Sequence, residues 1–110
     1  HGKRSSYYSD FTFGLWDGNQ LSPIGKAYFG FDDNELKVLD KFVRNNTIKK
    51  FGPVREVEKT FVIEIAFDAV NESNRHKSGV ALRFPRIKRL REDKPANEVI
   101  QLSQFKSEFL

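Results

Sequence analysis

Arg91, Asp93 and Lys94 fall within four consecutive residues, Arg91-Glu92-Asp93-Lys94, and together they could hold a polyphosphate. Arg91 offers a planar fork that meets two phosphate oxygens at once, and Lys94 a compact point charge. Asp93 stands between them, where it could orient either cation through a hydrogen bond. Such a group suits a departing pyrophosphate, whose developing charge must be neutralised. Taken alone, the pattern is equally that of a solvated charge run with a surface ion pair.

The surroundings of these residues sharpen the reading. From Arg75 to Lys94 there are eight Lys or Arg residues against two acids, a local excess of +6, whereas the whole chain is +4 and the remainder therefore −2. Positive charge is concentrated in one tract, the electrostatic footprint of a polyanion partner. His76, between Arg75 and Lys77, has one other histidine in the chain, His1, for company, so no metal site is expected. Trp16, Tyr7, Tyr8 and Tyr28 could stack on bases. Core packing or an interdomain seam is the favoured role, because Trp16 closes an alternating strand.

A chain of 110 residues makes one domain with one modest core. Eleven phenylalanines supply much of its apolar bulk, and 31% charged residues keep the surface solvated. The absence of cysteine excludes disulfides, thiolate metal sites and a thiol nucleophile, and agrees with a reducing compartment. No apolar run approaches the roughly 20 residues of a membrane helix, and no signal-peptide core is present. The chain starts His1-Gly2-Lys3-Arg4 and contains no methionine. It reads as a domain excised from a longer polypeptide, with tag processing as the alternative.

The elements that must position the cations can be read from periodicity. Residues 1–10 form a polar connector. Phe11, Phe13 and Leu15 alternate with Thr12, Gly14 and Trp16, a strand signature, and Asp17-Gly18 signals a hairpin turn. A second strand runs from about Leu21 to Phe29, with Pro23 and Gly25 marking an edge or a bulge. Asp32 and Glu35 have the form of a capping box. Leu36, Leu39, Phe42 and Val43 then recur at helical spacing until about Asn46, and Gly52-Pro53 punctuates. Val54 and Val57 could open a third strand. Phe61, Ile63, Ile65 and Phe67 define the clearest strand, Asn71 to Lys77 a polar loop, and Val80, Leu82 and Phe84 another strand. Val99, Leu102 and Phe105 suggest a terminal helix over residues 96–110. Short strands with one embedded helix fit a mainly-β OB-fold Greek-key barrel, whose face and loops commonly bind nucleic acid.

Leu82-Arg83-Phe84-Pro85-Arg86, then Arg89, then Arg91-Glu92-Asp93-Lys94 resembles the last of the collinear motifs of ATP-dependent DNA ligases. In that family Arg-Phe-Pro-Arg precedes Arg-x-Asp-Lys at this spacing. Gly2-Lys3-Arg4 is similar to an element just past the family's nucleotidyltransferase domain. Phe61 to Phe67, with Glu64 central, occupies the place of the preceding conserved strand, and Pro95 to Phe109 is similar to the trailing segment. The resemblance implies a C-terminal OB domain that closes over a nucleotidyltransferase domain of the same polypeptide. There a lysine attacks the α-phosphorus of ATP, giving a lysyl adenylate and pyrophosphate, with Mg2+ and ATP held mainly by that other domain. Arg91 and Lys94 would orient the β and γ phosphates with Asp93 positioning them, and Arg83 and Arg86 would buttress the motif or meet phosphates directly. The domain would then swing away and lay another surface on nicked double-stranded DNA. Lys3, Arg4, Lys26, Arg75 and Lys77 are candidate DNA contacts, although each alone also reads as ordinary surface charge. A cytoplasmic monomer serving DNA repair, replication and recombination is implied.

The family's nucleophile sits in a Lys-x-Asp-Gly element. Here Asp17-Gly18 follows Leu15-Trp16, so the chain is expected not to adenylate itself. Two other readings stay open: an autonomous OB-type nucleic-acid-binding module, and the corresponding domain of an RNA capping guanylyltransferase. The Arg-Phe-Pro-Arg prefix favours the ligase.

Overall fold

The alternation around Phe13 produces strand β1, Asp10–Asp17, antiparallel to β2, Gln20–Tyr28. The computed structural model describes residues 10–28 and 33–110. Gly18 and Asn19 close the hairpin, with Gly18 at φ 66°, a left-handed value that costs glycine little. The irregularity expected at Pro23 and Gly25 is a β-bulge: Phe13 pairs with Gly25 and Gly14 with Pro23, leaving buried Ile24 as the extra residue. No side chain fits at Gly14, because a Cβ there would lie 2.3 Å from the Ser22 carbonyl oxygen.

Helix α1, Asp33–Asn45, buries Leu36, Leu39 and Val43 and packs Phe42 edge-on against Phe61 at 4.9 Å. It stops near the expected residue because polar side chains take its last carbonyls. Asn46 Nδ2 donates to the Phe42 oxygen at 2.9 Å and Thr47 Oγ1 to the Val43 oxygen at 2.6 Å. Asp32, half of the expected capping box, lies outside the described residues. Glu35 accepts a hydrogen bond from the Leu90 N–H at 3.1 Å, across 55 residues of chain.

Beyond the helix the molecule holds more strand than the sequence suggests. Gly52-Pro53 is the loop of a full hairpin between β3, Thr47–Phe51, and β4, Val54–Val57. The Phe61–Phe67 alternation narrows to β5, Ile63–Ala66. The expected loop from Asn71 starts inside a strand, since β6, Ala69–Glu72, pairs with β7, Val80–Arg83. The cationic row itself is a strand, β8, Arg86–Leu90, antiparallel to β5. This ladder encloses the β6–β7 pair, so residues far apart in sequence become neighbours.

The C-terminal helix is shorter than 96–110. A 3-10 turn at Ala96–Glu98 is followed by extended Val99, and the α-helix proper, α2, is Leu102–Phe109. The break has a cause in the first hairpin: Trp16 forms a parallel bridge with Gln101, and its Nε1–H donates to the Ala96 oxygen at 2.8 Å. A straight helix through residues 96–101 would lose both contacts.

Phe13, Ile24, Ala27, Val80, Leu102 and Phe105 form the buried core, with Ile63, Ile65, Leu82 and Ile87 among the residues packed on it. β2 lies against β7 and β8, and α2 against β1. The ladders are separate antiparallel pairs because the later strands are four or five residues long and bulged. The architecture is mainly β and OB-like, with one helix embedded among the strands and another ending the chain.

Candidate functional site

Strand β8 delivers the cations in order. Arg86 begins it, Lys88 and Arg89 lie within it, and Arg91 follows its last residue. The Arg91 N–H donates to the Val62 oxygen at 2.9 Å, which extends the grip on β8 by one residue, and the Lys94 N–H donates to the Arg91 oxygen at 3.2 Å. That turn folds Lys94 back beside Arg91. The segment is pinned again just downstream, where Trp16 holds Ala96.

At the turn the fork of Arg91 is occupied by a carboxylate. Arg91 Nε and Nη2 donate to the two Asp93 oxygens at 3.0 and 3.1 Å, a bidentate pair. Arg91 Nη1 lies 3.6 Å from Glu64 Oε1. Glu64, on β5 directly across from Arg89, also accepts from Arg89 Nε at 2.9 Å and lies 3.6 Å from Lys88 Nζ. The hydrogen bond from Arg91 holds the Asp93 carboxyl below its usual range, and that from Arg89 does the same for Glu64. In return Asp93 raises the pKa of Arg91. Lys94 is partly buried and makes no ion pair among the described residues.

The sequence-predicted residues thus divide. Arg91, Asp93 and Lys94 come together. Arg83 ends β7 with an exposed side chain, and its backbone oxygen accepts the Asp68 N–H at 2.8 Å. Arg86 braces the same corner, donating to Asp68 Oδ1 at 3.2 Å and the Phe84 oxygen at 2.8 Å. It stands at the opposite end of β8 from Arg91, roughly 16 Å away at the rise of a strand. Lys26 is exposed on β2, and Arg75 and Lys77 are exposed on the β6–β7 connection. Lys3 and Arg4, like Tyr7 and Tyr8, lie outside the described residues. His76 Nδ1 is 2.9 Å from Ser73 Oγ.

Two features were not assigned a role from sequence. Glu64 was noted only as the centre of its strand, although an acid in an apolar run is a signal that something basic lies opposite. Phe84, expected on the inward face of a strand, is instead at φ 54° and 70% exposed. Pro85 disfavours the helical region for the residue before it, and the corner between β7 and β8 turns Phe84 outward.

A model of the ATP dependent DNA ligase C terminal region matches residues 4–94. The chain belongs to this family. It is 48% identical to a probable DNA ligase of Koribacter versatilis, over 99% of this chain and 20% of that protein. A probable DNA ligase of Opitutus terrae is 45% identical over 94% of this chain and 10% of its own length. The DNA ligase of Methanocaldococcus jannaschii is 38% identical over 89% of this chain and 17% of its own. The chain therefore spans a fifth or less of these relatives. The Arg91–Lys94 turn of this ligase C-terminal region closes the matched segment.

Proposed function

We propose that this region acts as the closing domain of an ATP-dependent DNA ligase, orienting the β and γ phosphates of ATP during lysine adenylation. Arg91 retains N–H groups beyond the two bound to Asp93, with Nη1 3.6 Å from Glu64, and Lys94, which makes no ion pair among the described residues, stands three residues on. Together they neutralise the departing pyrophosphate, while Asp93 fixes the guanidinium plane. The observation that carries this reading is the bidentate Arg91–Asp93 fork beside partly buried Lys94. Arg83 and Arg86, at the far corner of β8, would meet phosphates of a different group from those met by Arg91.

After adenylation the domain contacts nicked duplex DNA, with Lys26, Arg75 and Lys77 among the phosphate contacts. Mg2+ is held by residues outside this set. No cluster of three metal-ligating side chains occurs among the described residues, and Asp93 and Glu64 pair with arginines. The family reading implies a cytoplasmic monomer; separately, no described helix is long and apolar enough to cross a membrane. The chain itself contains no Lys-x-Asp-Gly element, so on its own it forms no adenylate.

The test uses the full-length ligase. Arg91→Ala or Lys94→Ala should slow enzyme adenylation by about 100-fold or more, as loss of a transition-state donor does. Sealing of a pre-adenylated nick should be far less affected. Unchanged adenylation with impaired sealing would overturn the assignment.

A further inference from the structure

Lys88, Arg89 and Arg91 crowd one side of β8, and like charges at such spacing repel. A single carboxylate answers all three. Glu64 Oε1 binds Arg89 Nε at 2.9 Å and lies 3.6 Å from Arg91 Nη1, while Oε2 lies 3.6 Å from Lys88 Nζ. Its side chain is 30% exposed, so the group is partly shielded from water rather than freely solvated. The backbone on both sides is fixed: Leu90 N–H to Glu35, Arg91 N–H to the Val62 oxygen. Glu64 is therefore held on a rigid ladder, and its reach decides where the guanidinium row stands.

We infer that Glu64 is a positioning residue for Arg91, holding the Arg89–Arg91 row so that the Arg91 N–H groups not bound to Asp93 are kept directed at the triphosphate. Asp93 alone cannot do this. It is two residues from Arg91 on the same turn and is itself exposed, so the Arg91–Asp93 pair could swing as a unit. Glu64, anchored on the neighbouring strand, removes that freedom. It also lowers the net charge of the row, so that Arg91 is not driven away by its neighbours. The inference rests on the reading of Arg91 as a phosphate-orienting group.

Glu64→Gln keeps the shape and removes the charge. In the full-length ligase it should slow single-turnover adenylation by about tenfold or more, the scale of a misplaced reacting group. Sealing of a pre-adenylated nick by the same preparation should stay within about twofold, which also shows that the variant is folded. Combined with Arg91→Ala, it should add nothing further to the loss, because its effect passes through Arg91. Equal losses in both steps, or additive losses in the double variant, would mean a structural role and overturn the inference. So would normal adenylation by Glu64→Gln in an enzyme that Arg91→Ala disables. If Arg91→Ala itself leaves adenylation intact, the reading of Arg91 fails, and that result is distinct from the others.

Discussion

Two strand regions of this domain carry clusters of cations, and they are built differently. On the β3–β4 hairpin, Lys49, Lys50 and Arg55 accompany exposed Ile48, Phe51 and Val54. Arg55 donates to carbonyls of its own hairpin, and Glu56 pairs with nearby Lys59. Every one of these contacts is local. Along β8 the cations answer acids from elsewhere: Glu64 on β5, and Asp68 at the start of the β6–β7 excursion. The difference teaches that the cations of β8 are held by acids from other parts of the chain, whereas the contacts of the β3–β4 hairpin stay within it or close by in sequence.

Four experiments would break or sharpen that contrast. Phe105, buried in the core and 6.1 Å centroid-to-centroid from Phe67, supports the platform beneath β8. Phe105→Ala should cost about 3–5 kcal/mol of stability by cavity formation, read from the denaturant midpoint. Phe51→Ala at the exposed hairpin tip should stay within about 0.5 kcal/mol. Comparable losses would mean that the hairpin is as integrated as the platform.

On adenylation by the full-length enzyme, the loss of about 100-fold expected for Arg91→Ala should have no counterpart in Lys50→Ala, which should stay within about twofold. The third test uses pH. Cations depress the folded pKa values of Glu64 and Asp93, so the unfolded chain binds more protons in acid than the folded one. Their stabilisation is complete above the ordinary carboxylate range and is lost as pH falls through the depressed values. A Glu64→Gln/Asp93→Asn variant should therefore differ most from the parent domain near neutrality, and the two melting curves should converge below about pH 4. The smallest effect belongs to Glu56→Gln. It severs a half-exposed local pair three residues apart and should leave the melting temperature unchanged within error.

The contrast also explains what could be read from the sequence. β1 and α1 were legible because their apolar residues recur at a regular period, and β2 because a hairpin turn precedes it. The Arg91-Glu92-Asp93-Lys94 turn was legible by its residue types. β3 was hidden because Thr47-Ile48-Lys49-Lys50 has one apolar side chain and no alternation. β8 was hidden because its identity as a strand comes from β5. Nothing within Arg86–Leu90 announces a partner more than twenty residues upstream, and the Glu64–Arg89 pair across the ladder is invisible to any local window. Residues 96–101 read as helix because Val99 and Leu102 are correctly spaced. Trp16, far away in sequence, pulls that stretch into a turn and an extended link.

The ladder that brings Glu64 to Arg89 closes a loop of 25 residues, and pairings of this range are slow to form because chain entropy must be spent before contacts repay it. During synthesis the strand bearing Glu64 emerges well before its partner and must wait, its acid unanswered, for the basic segment to arrive. The ladder behind Arg91 is thus expected to assemble later than the local pairing of the first hairpin. A nascent chain halted before residue 90 would present Glu64 with neither Leu90 nor Arg91 in place to complete the ladder.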